Sequence, residues 1–130
     1  MDNKNQKDVS ESKDAFDFLA DAIASENHLL DSYAETSDDR FLDLSKVVRK
    51  MRSEVLYSMV LPNKSENYCI CKHLAGCTKR LQEMANRAMD RKDKEEAKKL
   101  LHYSMDCQIM FHYVRLMGTE KSKEVKDAIL

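Results

Sequence analysis

The sequence predicts an all-α fold, an antiparallel four-helix bundle with a short C-terminal helix. Three observations predict it. Glycine and proline account for only 2 and 1 of the 130 residues, charged residues reach 35%, and apolar residues recur at helical spacing. Few turns can be built from such a composition, which favours long helices joined by short loops. Short loops join neighbouring helices, and an up-down-up-down bundle is their simplest packing.

The chain divides into three predicted regions within one domain-sized length of 130 residues. Residues 1–11 are polar and predict a disordered tail, because they cannot bury apolar surface. Residues 12–118 contain the helical pattern of the bundle. Residues 119–130, "TEKSKEVKDAIL", form a C-terminal appendage that we expect to be a short helix.

The first helix is predicted over residues 12–35 and the second over residues 39–61. The apolar face of the first consists of Phe16, Leu19, Ile23, Leu30 and Tyr33. The stripe of the second consists of Phe41, Leu44, Val48, Met51, Val55 and Met59. Between them, Thr36, Ser37 or Asp38 is expected to cap the second helix. Pro62 ends that helix because it has no amide hydrogen to donate.

The third helix is predicted over residues 66–91 and the fourth from about Asp93 to Met117. The inner face of the third is expected to contain Ile70, Leu74, Cys77, Leu81, Met84 and Ala88. Asp93 caps the fourth helix, and Glu96, three residues on, is placed to complete a capping box. Gly118 suits its C-terminal cap.

One segment, residues 81–105, "LQEMANRAMDRKDKEEAKKLLHYSM", resembles a tetratricopeptide-type helical hairpin. Five residues match positions where that motif tends to place Asn, a small or aromatic residue, Asp, Glu and Ala, namely Asn86, Ala88, Asp93, Glu96 and Ala97. Lys92 replaces the motif's glycine, and no second copy follows at a spacing of about 34 residues. The resemblance implies hairpin geometry, not a repeat array. The chain as a whole resembles small helical proteins of archaea.

The segment "NYCICKHLAGC", residues 67–77, contains three cysteines and a histidine. On a helix, Cys77 is expected in the middle of the apolar face, with Cys71 to one side. Cys69 and His73 lie on the opposite flank, so that Cys69, His73 and Cys77 form a ridge. Its ends are about 12 Å apart by helix rise, so one ion can bind only two adjacent members.

The cysteine pattern C-x-C-x5-C is not that of a zinc finger, in which paired cysteines usually lie on a turn. The favoured interpretation is therefore structural thiols, because cysteine is among the most buried residue types. A redox thiol and a metal site remain alternatives. A zinc or iron site would take its ligands from His73, Cys77, Cys107 and Glu26.

Glu26 lies at an unexpected position, because the other members of its helical series (residues 16, 19, 23, 30 and 33) are apolar. A carboxylate on such a face loses hydration, so it needs a partner or takes up a proton. Candidate partners are Arg52, His73, Arg80 or a metal ion. The residue is either a structural anchor or part of a polar functional site.

The second half of the fourth helix, "IMFHYVRLMG", is apolar around most of its circumference. Such a helix is buried or forms an interface. The predicted interface for a homodimer or a protein partner consists of Ile109, Met110, Tyr113, Leu116 and Met117. Alternatively, the C-terminal "EVKDAIL" folds back over this surface. His102 and His112 are expected to face solvent or a partner.

Several function classes lack support in the sequence. No Glu-x-x-His pair of a di-iron bundle, no glycine-rich phosphate loop and no G-x-S-x-G motif occurs. The net charge is −1 with interspersed signs, which does not favour nucleic acid. No apolar stretch predicts a membrane span or a signal peptide, so a cytoplasmic protein with reduced or metal-bound cysteines is expected.

Two functional hypotheses follow from these observations. The leading one is a non-enzymatic interaction module that self-associates and needs no cofactor. The alternative is a metal- or small-ligand-binding bundle with a polar site around Glu26 and His73.

Overall fold

The computed structural model describes residues 9–61, 64–119 and Lys123. Within these ranges the chain forms four α-helices and no strand, which confirms the all-α prediction. The helices are α1 (Val9–Thr36), α2 (Asp39–Met59), α3 (Lys64–Asp90) and α4 (Lys94–Leu116). Residues 9–11, predicted as part of a tail, belong to α1. Residues 1–8, Pro62 and all of the predicted C-terminal helix except Thr119 and Lys123 lie outside the described residues.

The connection between α1 and α2 consists of Ser37 and Asp38. Ser37 adopts a left-handed backbone conformation, with φ of 58°, and its amide donates to the Tyr33 carbonyl at 2.7 Å. The Asp38 carboxylate accepts a hydrogen bond from the Arg40 amide at 3.0 Å, so Asp38 is the residue that caps α2. Two residues thus suffice to end one helix and begin the next.

The connection between α3 and α4 also uses a left-handed residue, Lys92, with φ of 63°. The Asp93 carboxylate accepts from the Glu96 amide at 3.1 Å, which confirms Asp93 as the N-cap of α4. The predicted return bond of the capping box is not made. The Asp93 amide instead donates to the Ala88 carbonyl at 2.9 Å, and the Glu96 carboxylate pairs with Lys99 at 3.2 Å.

All four helices contribute to the main hydrophobic core. Phe16 of α1 and Phe111 of α4 pack edge to face, with ring centroids 4.8 Å apart. The fully or nearly fully buried members are Phe16, Leu19, Leu56, Met59, Val60, Cys71, Ala75 and Phe111. A second, smaller cluster joins α3 and α4 only, and it consists of Ala85, Ala88, Ala97 and Leu100 with the half-buried Leu81.

The helices pack unevenly. The contact between α3 and α4 is the most extensive, followed by α1 with α2 and α1 with α3, whereas α2 and α3 touch only sparsely. A groove bounded by α1, α2 and α3 lies where α2 and α3 are not in close contact.

The predicted inner face of α3 is only partly correct. Ala88 is buried and Leu74 and Leu81 pack against the core, as predicted, whereas Ile70, Cys77 and Met84 are exposed. The other buried side chains of α3 are Asn67, Cys71, Ala75, Thr78 and Ala85. Small side chains fill the contact with the neighbouring helices because they allow close approach. The large apolar side chains flank this contact, so a face drawn through them is rotated towards solvent.

The stripe predicted for α2 is also only partly correct. Met59 is buried and Val55 packs against the core, as predicted, whereas Leu44 and Met51 are exposed. The buried residues outside the predicted stripe are Ser45, Arg52 and Leu56. Ser45 is accommodated because its hydroxyl donates to the Leu42 carbonyl at 2.6 Å. The buried face of α2 therefore includes a charged residue, Arg52, opposite α1.

Candidate functional site

Glu26 of α1 and Arg52 of α2 form an ion pair that is shielded from water. The Arg52 Nε donates to the Glu26 Oε1 at 2.8 Å, and only 6% and 12% of the two side chains are exposed. The Arg52 Nη1 also donates to the Tyr68 hydroxyl of α3 at 3.4 Å. Arg52 lies one turn before the fully buried Leu56, so core packing of α2 positions the guanidinium against α1. The carboxylate predicted to need a partner has one.

A groove of about 400 Å³ lies beside this ion pair, between α1, α2 and α3. It brings together the four residues predicted for a polar site, Glu26, Arg52, His73 and Arg80, and the exposed Cys77. The remaining lining residues are Ile23, Ala24, Asn27, Lys72, Gly76, Lys79 and Glu83.

His73 and Arg80 share the groove with Glu26 without pairing with it. His73 is exposed and makes no hydrogen bond or ion pair with any described residue. Arg80 lies 3.6 Å from Glu83, its neighbour on the same helix, in an exposed pair. Their polar groups are therefore available to a molecule in the groove.

Gly76 lies in the middle of α3 and lines the groove. A Cβ atom at this position would lie 3.4 Å from the Ile23 Cγ2, an ordinary contact, so packing does not require glycine. Glycine inside a helix costs about 1 kcal/mol relative to alanine. The missing side chain therefore keeps the groove open at a cost in helix stability, since a longer side chain would occupy it.

Positive charge predominates in this groove. Its cations are Arg52, Lys72, Lys79 and Arg80, and its carboxylates are Glu26 and Glu83. An exposed cation, Arg49, also lies near the buried pair, with its Nε 4.0 Å from the Glu26 Oε2. With Asp21, which pairs with Lys79 from beside the groove, the four lining cations face three carboxylates.

The cations differ in how far they are already paired. Lys79 bonds Asp21 at 2.9 Å, and this hydrogen bond raises the pKa of Lys79. Lys72 is half-buried and forms no ion pair with a described residue. Farther along α1 and α3, an adjoining cavity of about 300 Å³ is acidic, with Asp31 and Glu35 in its wall.

Two of the cysteines of α3, Cys71 and Cys77, do not occupy their predicted positions. Cys71, expected at one side, is fully buried, and its thiol lies 3.7 Å from the Phe111 carbonyl. Burial raises the pKa of Cys71 to about 12, so this thiol is protonated at neutral pH and is a weak nucleophile. Cys77, expected in the core, is exposed instead. All four cysteines are free thiols.

The metal ligand set proposed from sequence is only partly assembled. Glu26, His73 and Cys77 line the groove, whereas Cys107 is a half-buried residue of α4. Burial, and next to it the charge of nearby Cys77, raises the pKa of Cys107. No group of three or more His, Cys, Asp or Glu side chains in residues 9–61 and 64–119 is arranged to hold a metal ion.

His112 was expected to face solvent or a partner, and it is instead a half-buried residue that packs against the core. Its ring packs against Phe16 and Phe111, with centroid distances of 5.8 and 5.2 Å. Its Nδ1 accepts a hydrogen bond from the Arg115 Nε at 3.0 Å. Burial, reinforced by the charge of Arg115, lowers the pKa of His112 to about 4. The sequence signal for its burial was the run of apolar residues directly before and after His112.

Arg115 connects the ends of α2 and α4. Its Nη1 donates to the Met59 carbonyl at 3.3 Å, and its own carbonyl accepts from the Leu61 amide at 3.1 Å. These bonds satisfy backbone groups that the end of α2 leaves unpaired. The His112–Arg115 pair is thus part of the packing of the chain and lies outside the groove.

Much of the predicted interface on α4 is used within the chain itself. Leu116 is only 8% exposed, and Ile109, Met110 and Tyr113 are half-buried, which leaves Met117 as the exposed member. A more exposed apolar stripe lies on α2, where Leu44, Val47 and Met51 are 52%, 57% and 45% exposed.

Comparisons of the chain with protein-family models, with curated proteins and with solved structures found no match. Among the described residues, no helix combines the length and the apolar character required to cross a bilayer.

Proposed function

We propose that this chain is a non-enzymatic binding module whose site is the polar groove between α1, α2 and α3. The observation that carries the proposal is the convergence of Glu26, Arg52, His73 and Arg80, from three helices, around one cavity of about 400 Å³. That volume is within the range of small-molecule sites, and such sites place a few polar groups on an apolar wall.

The buried ion pair supports this proposal because it holds the groove in shape. Breaking the Glu26–Arg52 pair leaves a charge with little water around it, so both side chains are restrained in one arrangement. The exposed His73 and the half-buried Lys72 then present their donors from α3 towards this fixed wall. A binding site needs such a combination of a rigid wall and available polar groups.

The test is a screen of small metabolites by ligand-observed NMR, with a groove-filling variant as the reference. Gly76→Leu places a side chain in the groove, and Gly76→Ala is the matched control because a Cβ fits there. We expect compounds that bind the wild type and Gly76→Ala but not Gly76→Leu. If no compound distinguishes Gly76→Leu from the other two, the groove is not a binding site.

A second candidate function is self-association, as a homodimer, through the α2 stripe of Leu44, Val47 and Met51. The observation that favours it is the stripe itself, since three apolar side chains on one helix face are about half exposed. Light scattering of the purified chain tests it. A dimer that Val47→Glu converts to a monomer supports self-association, and a monomeric wild type at high concentration contradicts it.

We also propose that the four helices alternate in direction, up-down-up-down. This arrangement is supported by the short connections and by the order of contacts along α1. Glu26 meets Arg52, Asp21 meets Lys79, and Phe16 meets Phe111 near the end of α4. Distances between spin labels at opposite helix ends test the alternation directly.

A further inference from the structure

The charge around the groove differs from the charge of the whole chain. The formal net charge of the chain is −1, yet the four cations that line the groove face three carboxylates, Glu26, Glu83 and Asp21, the last of which pairs with Lys79. The excess of positive charge is therefore local. A local excess of one sign of charge raises the concentration of ligands of the opposite sign.

Three of the nearby cations are available to a ligand. Lys72 has no ion-pair partner among the described residues. Arg80 and Arg49 are exposed and lie 3.6 and 4.0 Å from their carboxylate neighbours, distances longer than a charge-assisted hydrogen bond. Arg52, by contrast, is paired with Glu26 at 2.8 Å and forms part of the wall of the groove.

His73 adds a further hydrogen-bond donor to the α3 side of the groove. It is one residue from Lys72 and one turn from Gly76, and it makes no hydrogen bond with a described residue. An imidazole N–H and a lysine ammonium together offer several donors and, at most, one acceptor. Such a set matches a ligand whose oxygens are acceptors.

The other lining residues limit what the ligand can be. No Phe, Tyr or Trp side chain is among the described residues that line the groove, so no aromatic ring is present to stack on a nucleobase. The apolar part of the wall is formed by Ile23 and Ala24. This wall suits a short aliphatic or sugar-like body.

We infer that the groove binds a small polyanion, a non-aromatic molecule carrying two or more carboxylate or phosphate groups. This inference rests on the binding function proposed above and specifies its ligand class. Lys72, His73 and Arg80 contact the anionic groups, and Arg49 approaches them from α2. The charges of Glu26 and Arg52 neutralise each other in the wall of the groove, so the anion is not repelled by an unpaired carboxylate.

The test is a titration with citrate and with inorganic pyrophosphate, two probes that separate carboxylate from phosphate recognition. Binding is followed by calorimetry and by the imidazole C–H resonances of His73. The double variant Lys72→Ala/Arg80→Ala removes two charges at the groove. The control, Arg91→Ala/Lys98→Ala, removes two exposed charges elsewhere.

We expect at least one probe to bind with one-to-one stoichiometry and to shift the His73 resonances. The groove double variant should weaken binding at least about tenfold, and the control less than about twofold, because charge-assisted bonds are lost only in the first. Melting temperatures of both variants establish that they are folded.

Two results would overturn the inference. One is that neither probe shifts His73, and the other is that both double variants weaken binding equally, which would indicate surface charge alone. A failure of the polyanion inference can be distinguished from a failure of the proposed binding function. If a neutral metabolite binds the wild type but not Gly76→Leu, the binding function stands and only the polyanion inference fails.

Discussion

Arg52 reaches across from α2 to hydrogen-bond Glu26 of α1 at 2.8 Å, in a position where neither side chain is more than 12% exposed. An isolated charge in such surroundings is strongly unfavourable, so each residue depends on the other. This pair also forms part of the wall of the groove, and the stability of the fold and the shape of the site are therefore linked.

The first prediction concerns this pair. Arg52→Met leaves the Glu26 carboxylate buried without its partner, so the free energy of unfolding in urea should fall by about 3 kcal/mol. Arg49→Met is the matched control, since that guanidinium is exposed and should change stability by less than about 0.5 kcal/mol. The double variant Glu26→Leu/Arg52→Met should recover much of the loss. Equal effects of Arg52→Met and Arg49→Met would show that the pair contributes little.

The second prediction is a pH dependence caused by His112. Its pKa is about 4 in the folded chain, against 6.5 as the ordinary value. The unfolded chain therefore takes up a proton first as the pH falls below 6.5, and the folded state loses stability between pH 6.5 and 4. At pH 5 the loss relative to pH 7 should be about 2 kcal/mol by linkage.

The measurement for His112 is urea unfolding at pH 7 and pH 5, with the difference taken within each variant. His112→Asn should remove most of the loss, whatever its stability at pH 7. His102→Asn, which changes an exposed histidine of the same helix, should keep it. An unchanged pH difference in His112→Asn would show that other groups are responsible.

The third prediction concerns the turn between α3 and α4. Lys92 has φ of 63°, a conformation that is unfavourable for residues with a Cβ and free of strain for glycine. Lys92→Gly should therefore raise the free energy of unfolding by about 0.5–1 kcal/mol. Lys98→Gly makes the same replacement within α4 and should lower it by about 1 kcal/mol. A destabilising effect of Lys92→Gly would contradict the turn geometry.

The fourth prediction concerns the cysteines of α3. Brief treatment of the native chain with iodoacetamide should modify the exposed Cys69 and Cys77 and leave the buried Cys71 unmodified until urea is added. Trypsin separates residues 65–72 from residues 73–79, and fragmentation of the first peptide distinguishes Cys69 from Cys71. Modification of Cys71 before Cys77 in the native chain would contradict the structure, because it would show that Cys77 is the buried cysteine.

The helices themselves were predictable because their ends carry local chemistry. Asp38 and Asp93 cap α2 and α4 as the sequence indicates. The buried faces were not predictable in the same way. Apolar pattern places the large side chains inwards, but α3 packs through Cys71, Ala75 and Thr78, whose small or polar side chains contribute little to that pattern.

The candidate site shows the same division. Glu26 stood out because it interrupts an apolar series, and its dependence on a partner follows from desolvation alone. The choice of Arg52 among the candidate partners depends on which face of α2 is buried, and the stripe drawn through Leu44 and Met51 placed Arg52 only on the flank. His112 was missed because it lies away from the apolar stripe in the first part of α4, whereas its ring packs against Phe16 and Phe111 near the end of that helix.

The most direct test of the binding site is a crystal structure of the chain soaked with citrate at a concentration well above that needed for saturation in solution. We expect electron density for the anion in the groove, within hydrogen-bond distance of Lys72, His73 and Arg80, above an intact Glu26–Arg52 pair. A groove that holds only water, or citrate bound only at exposed lysines elsewhere, would contradict it.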